Sequence, residues 1–173
     1  LRDVQADVLR GDAGGPGSRA VGAGAGLPEG DGERMGAMTI LATALTDSRD
    51  YAAALPLNEE LLAVDRRLNG DLDLSTLVSI FNLVRLHVMM GNSSQALPLA
   101  EECLRGFQQT KGDEHEFTID SMGLLGDVHR DMGNHNEALS LARRALEAQR
   151  RTLGNEHDDT LVSIGLVALI LAR

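Results

Sequence analysis

The chain has 173 residues, and its 16 Lys and Arg against 26 Asp and Glu leave a net charge of -10, which repels a phosphate backbone and excludes nucleic acid as the main partner. Aromatic residues make up 2% of the chain and tryptophan is absent, so packing must come from Leu, Ala, Val, Ile and Met, a composition suited to close-packed helices. The longest apolar run, Leu161 to Ala172, falls short of the roughly 18 to 20 residues that cross a bilayer, which excludes a membrane anchor.

Residues 1–34 hold nine of the 19 glycines and show no sustained apolar periodicity, which predicts a flexible linker. Within it, Leu1, Val4, Val8 and Leu9 are spaced for one face of a helix, as if Leu1 to Arg10 were the tail of an earlier element. The VGAGAG stretch from Val21 has neither the preceding strand nor the spacing of a phosphate-binding loop. Because the chain opens on Leu1 and stops at Arg173 inside a recurring unit, it reads as a piece of something longer.

From Met35 the pattern becomes helical, paired and repetitive. Gly70, Gly112 and Gly154 recur every 42 residues, and in the same register Thr76, Thr118 and Thr160 align, as do Ser79, Ser121 and Ser163. A second set agrees: Gly91 with Gly133, Asn92 with Asn134, and Ala54 with Ala96 and Ala138. Self-similarity at such an interval signals a stacked array of hairpins without a single central core. The units run from 35 to 76, 77 to 118 and 119 to 160, and residues 160 to 173 form one further first helix without its mate.

Within the second unit, a helix A from Thr76 to Met90 should break at Gly91 and restart as helix B after Asn92. Asn92 with Gln95, and Asn134 with Glu137, have the spacing of a reciprocal capping box; Asp50 keeps the cap in the first unit, where Ala53 lacks the partner side chain. Alanines at 54, 96 and 138 let helix B approach its neighbour closely. Pro56 and Pro98 sit early in helix B, where each either bends the helix or delays its regular start. The acidic loops that follow, such as LGNEHDDT, suit a helix N-terminus.

A 42-residue hairpin with a Gly-x-x-His-x-x-Thr loop and an EAL-x-L-x-x-x-AL helix B resembles the tetratricopeptide repeats of kinesin light chains, most closely over GNEHDDTLVS and Gly133 to Gly154. The likeness covers residues 35 to 173. Asp73 replaces the loop His in the first loop, Glu116 and Asp158 stand where the family usually has Pro, and the family's paired helix A asparagines survive only as Asn82. The resemblance implies an all-α, right-handed superhelical solenoid of three full repeats plus one unpaired helix A, with the helices A lining a concave face. It also implies a protein-protein interaction scaffold, adaptor-like, holding a peptide or partner segment in that groove. Similar repeats occur in large signalling ATPases, so the alternative is a regulatory or oligomerising segment of such an enzyme.

On the second helix A, Leu77, Ile80, Leu83, Val84 and His87 form the expected core side, and Phe81, Asn82, Arg85, Val88 and Met89 the groove side. Matching groove positions are Thr39, Ile40, Thr43, Thr46 and Asp47 before it, and Gly123, Leu124, Asp127, Arg130 and Asp131 after it. Arg85 and Arg130 would grip a carboxylate, with Phe81 and Met89 either supplying apolar contact or packing between units. His115 and His157 lie one period apart as a structural element of the loop, and His129 with His135 lacks a third ligand, so no metal site is expected. Ser163, Asp159 and His157 have nothing to orient them as a catalytic set, and no enzyme activity or cofactor is expected. The lone Cys103 reads as a small core residue of a reducing, cytoplasmic compartment. Apolar residues on more than one side of the last helix, Leu161, Ile164, Leu166, Val167 and Ile170, point to continuation of the array or self-association.

Overall fold

A computed structural model describes residues 31–171. Among these, seven α-helices follow one another and no strand occurs: α1 Asp31–Asp47, α2 Tyr51–Asn69, α3 Leu74–Met89, α4 Ser93–Lys111, α5 Glu116–Asp131, α6 His135–Thr152 and α7 Asp158–Leu171. The glycine-rich stretch expected as a linker, with its suggested helix at Leu1 to Arg10, lies outside the described residues except at its end. There α1 begins at Asp31, ahead of the expected Met35. The glycines at 30 and 32 mask this first turn in the sequence, whereas in the fold Arg34 anchors it through an ion pair with Glu60 of α2.

The chain divides into two compact units, Leu1–Ser79 and Ile80–Arg173, with the division inside α3. In the first, α1 packs on α2, with Ala42 and Ala54 buried. Asp50 caps α2 by accepting from the Ala53 N–H at 3.2 Å. Gly70 ends α2 at φ +84°, a conformation open to glycine without the penalty a Cβ would bring. The next helix is tied back to this turn: the Thr76 hydroxyl donates to the Gly70 carbonyl at 2.7 Å. Asp73 accepts from the Ser75 N–H at 2.9 Å, and buried Asp65 accepts from the Ser79 hydroxyl.

The second unit repeats the device. Gly112 ends α4 at φ +87°, the Thr118 hydroxyl donates to its carbonyl at 2.7 Å, and His115 Nδ1 accepts from the Phe117 N–H at 3.2 Å. His157 Nδ1 accepts from the Asp159 N–H in the same way, at 3.3 Å. The loop histidines are therefore helix caps, interchangeable with Asp73 because each offers one acceptor to the N–H two residues on. Burial, with Lys111 next, pulls the His115 pKa down and so favours the neutral ring this role requires.

Two expectations need correction. Asn92 and Asn134 are the N-caps of α4 and α6, but neither side chain makes a capping hydrogen bond. The Asn134 amide instead meets His129 Nδ1 at 3.3 Å, and both backbones turn back, with the Asn92 and Asn134 N–H groups donating to the His87 and His129 carbonyls at 2.8 Å. Nor do the prolines delay helix B: α2 and α4 start five residues before Pro56 and Pro98 and run through them.

The array makes three demands on each helix A, seen most fully in α5. At 100° per residue, Thr118, Ser121, Leu125 and Val128 share the face toward α4, where Ser121 Oγ lies 3.6 Å from Cys103 Sγ. Ile119, Met122, Gly126 and His129 share the face toward α6, where a Cβ on Gly126 would lie 3.7 Å from the Ala138 carbonyl and the Leu141 Cβ. The remaining arc carries Glu116, Asp120, Gly123, Leu124, Asp127 and Asp131. Cys103 is buried as expected, and burial pushes its thiol up to about 12, which keeps it unreactive.

Thr160 breaks the pattern, since it is fully buried yet its hydroxyl finds no partner. Thr118→Val should therefore lower stability by about 1 to 3 kcal/mol, because it strands a carbonyl that had a donor, while Thr160→Val should be neutral or stabilising. Urea midpoints of the two variants check this; equal losses would mean the hydroxyl bond is not what matters.

Candidate partner-binding surface

The residues expected to face a partner are best followed one unit at a time. In the first unit Thr39 and Thr43 are half-buried, and their hydroxyls donate to the Met35 and Thr39 carbonyls of their own helix at 2.9 and 2.8 Å. Their polar atoms are thus already used within α1, and the large exposed side chains beside them are Ile40 and Leu41.

In the second unit the expectation for Phe81 needs correction: only 4% of it is exposed, so it belongs to the packing and offers no ring to a ligand. Met89 does face solvent, at 46% exposure, while Asn82 and Arg85 are half-buried. The core-side assignments hold, with Leu77, Ile80, Leu83, Val84 and His87 all buried.

Arg130 also differs from its expected role. It is already held by Asp127 at 2.6 Å and by Asp131 at 3.6 Å, so it is not a free clamp for a carboxylate. Once Arg130 is neutralised, the outer arc of α5 is dominated by acid. Glu116, Asp120, Asp127 and Asp131 fall within roughly 60° of one another around the helix, with Gly123 at one edge of that arc and Leu124 at the other. Space is open above Gly123 and above its counterpart Gly165 on α7, and Val162 beside it is 71% exposed.

Asp120 is the member of this face that the sequence reading passed over. Burial first, with the like charges of Glu116 and Asp159 acting in the same direction, raises its pKa to about 6. Burial also raises Asp127, against the lowering effect of Arg130. The signal that could have exposed Asp120 is the register itself: its equivalents are Val78 and Val162, so a carboxylate there departs from the repeat. Among the described residues no three His, Cys, Asp or Glu side chains are grouped to hold a metal ion, and no described helix is long and apolar enough to cross a membrane.

Comparison with known proteins follows the same lines. The family model for the tetratricopeptide repeat matches residues 34–109, 96–151 and 117–173. Among solved structures, the chain is similar to the nearly identical TPR-like repeats of a protein described as a kinesin light chain from Podosopora anserina, with a TM-score of 0.73 and 24% identity. That match covers 79% of this chain and 65% of the other. BtubC (BKLC) from P. vanneervenii is similar with a TM-score of 0.70 and 17% identity, over 80% of this chain and 56% of that one. At these identities the likeness is one of fold, and the chain spans less than two thirds of either protein. No match is found among the curated proteins.

A carboxylate whose pKa is raised on folding binds its proton more tightly in the native state, so its effect is most favourable below about pH 4 and is lost as pH rises through about 6. Asp120→Asn should therefore raise the melting temperature at pH 7.5 and flatten the dependence of stability on pH between 4 and 6. Thermal unfolding followed by circular dichroism across that range checks it; an unchanged slope would show Asp120 to be solvated in the native state.

Proposed function

Because the chain belongs to the tetratricopeptide repeat family, whose repeats generally mediate protein-protein interaction, we propose that it is a non-enzymatic scaffold holding a peptide segment of a partner along the groove side of its helices A. Within the second unit the contact set is Asn82, Arg85 and Met89 from α3, with Asp127 and its neighbours on α5. Support comes chiefly from the acidic arc of α5, along which Arg130 pairs with Asp127 and Asp131. The two packed faces of α5 are apolar or hydrogen-bonded, whereas this third face keeps charge and a glycine floor where a peptide backbone can approach.

The sign of that charge sets the ligand class. An extended segment with basic residues flanking an apolar one would place its cations against Asp120, Asp127 and Asp131 and its apolar side chain on Leu124 or Met89. Complementary charge of this kind governs association rate and partner choice more than it adds raw affinity. The reading thus reverses the carboxylate-gripping role expected for Arg85 with Arg130.

Fluorescence anisotropy with two labelled peptides of equal length, one alternating Lys with Leu and the other Glu with Leu, tests it. The basic peptide should bind, weaken with added salt, and lose about tenfold in affinity when Asp120 and Asp131 are both changed to Lys. Arg85→Glu should leave that binding intact or strengthen it. Preference for the acidic peptide, or indifference to the double change, would overturn the proposal.

A further inference from the structure

The outer side of α6 reverses a charge pattern that the other helices B share. Glu59 and Glu60 on α2 and Glu101 and Glu102 on α4 stand in one register of the 42-residue repeat, and in that register α6 carries Arg143 and Arg144. Four residues beyond Glu101, Arg105 of α4 is likewise exchanged for Glu147. The earlier acids are met within the chain: Glu60 pairs with Arg34 of α1, and Glu101 lies 3.7 Å from Arg105. On α6 the acid is taken elsewhere, because Glu147 is held by Arg151 at 2.9 Å, and Arg151 is also held by Glu114 at 2.8 Å. Arg143, Arg144 and Arg150 are exposed and form no ion pair among the described residues.

The helix itself groups these charges. At 100° per residue Arg143 and Arg150 fall within roughly 20° of each other and Arg144 lies about 100° from Arg143, with Glu147 in the gap. The centre of this arc is opposite the packed side, where Ala138, Ala142, Ala145 and Leu146 are buried. At the equivalent place on α4, which has the next hairpin behind it, Glu101 is exposed and Glu102 half-buried, so a following hairpin does not cover this side. We propose that Arg143, Arg144 and Arg150 dock an acidic segment of a partner protein, whose carboxylates the guanidinium groups grip. Spacing and charge select that occupant. Seven residues of helix set Arg143 and Arg150 about 10 Å apart, the length of three residues of extended chain, so carboxylates at every third position meet both. Glu147 stands inside the patch and the chain carries a net charge of -10, which disfavours a continuous polyanion or an anionic bilayer, whose charges come without gaps. Beside the patch the fold already uses the same chemistry, where Glu114 and Glu147 share Arg151.

The probe is a fluorescein-labelled peptide of four Glu-Ser-Ser repeats, titrated against the whole chain by anisotropy, beside a Gln-Ser-Ser peptide of the same length. The acidic peptide should bind saturably and weaken with added salt, and Arg143→Glu together with Arg144→Glu should weaken it about tenfold or more. Both positions are exposed and the double change gives α6 the acidic pair that α2 and α4 carry, so the circular dichroism spectrum should not alter. Nor should capture of the basic peptide by α5 alter, which lets this reading and the groove reading fail separately. Equal binding of the two peptides, or binding indifferent to the double change, overturns the proposal. So does displacement of the acidic peptide by inorganic polyphosphate at a lower concentration of charge, since the face would then be a general polyanion site. A dimer of the chain alone, seen by light scattering and converted to monomer by the double change, overturns it too, because the face would belong to a second copy.

Discussion

The constraint on which the rest depends is a short clasp at the end of each helix B. A glycine at positive φ stops the helix, and in two of three copies a threonine six residues later returns its hydroxyl to that glycine's carbonyl. Between the two lies a residue that accepts the N–H two positions on, Asp73 in one loop and His115 or His157 in the others. Together they satisfy backbone groups that a helix end would otherwise leave bare, and they fix the path by which the chain enters the next helix. Because the path is fixed by backbone and by one hydroxyl, the side chains packed at the joint are free to differ.

They differ in kind. Asp65, Phe107 and Gln149 occupy one register position, and each meets the next helix through other chemistry. Asp65 accepts from Ser79, and burial raises its pKa despite that bond. Phe107 stacks at a tilt on Phe117 with ring centroids 5.4 Å apart, while Ser121 donates to the Phe117 carbonyl and sits beside Cys103. The Gln149 side-chain amide oxygen is buried without a hydrogen-bond partner. The apolar joint needs no polar compensation, whereas the Gln149 joint carries an unsatisfied group that costs free energy. Repeats that look alike in backbone are thus unlike in the strength of their coupling, which is what a nearest-neighbour array permits.

Much of this was legible beforehand because periodicity reports on backbone and burial. Glycines, threonines and small residues recurring every 42 positions located the turns, the clasps and the close-packed faces, and the core side of α3 followed from helical spacing alone. Side-chain pairing was not legible for a physical reason: it depends on which of several nearby groups captures a donor. Asn92 and Asn134 have the spacing of capping residues, yet the Asn134 amide turns to His129. Arg130 has the look of a ligand clamp until the fold sets two carboxylates against it. Phe81 stands in the groove register, where its later equivalents are Gly123 and Gly165, and a large ring there is drawn into the packing while a glycine leaves open space.

Each helix A of such an array serves two neighbours and keeps one arc for itself, and the arc is where sequence can change without loss of fold. On α5 the faces toward α4 and α6 are bound by volume and by hydrogen bonds, so Leu125, Val128 and Gly126 have little freedom. Glu116, Asp120 and Asp131 lie on the arc between those faces, and burial raises the Asp120 pKa, with the like charges of Glu116 and Asp159 adding to it. A face that repels itself in the free protein is relieved when a cation is laid against it.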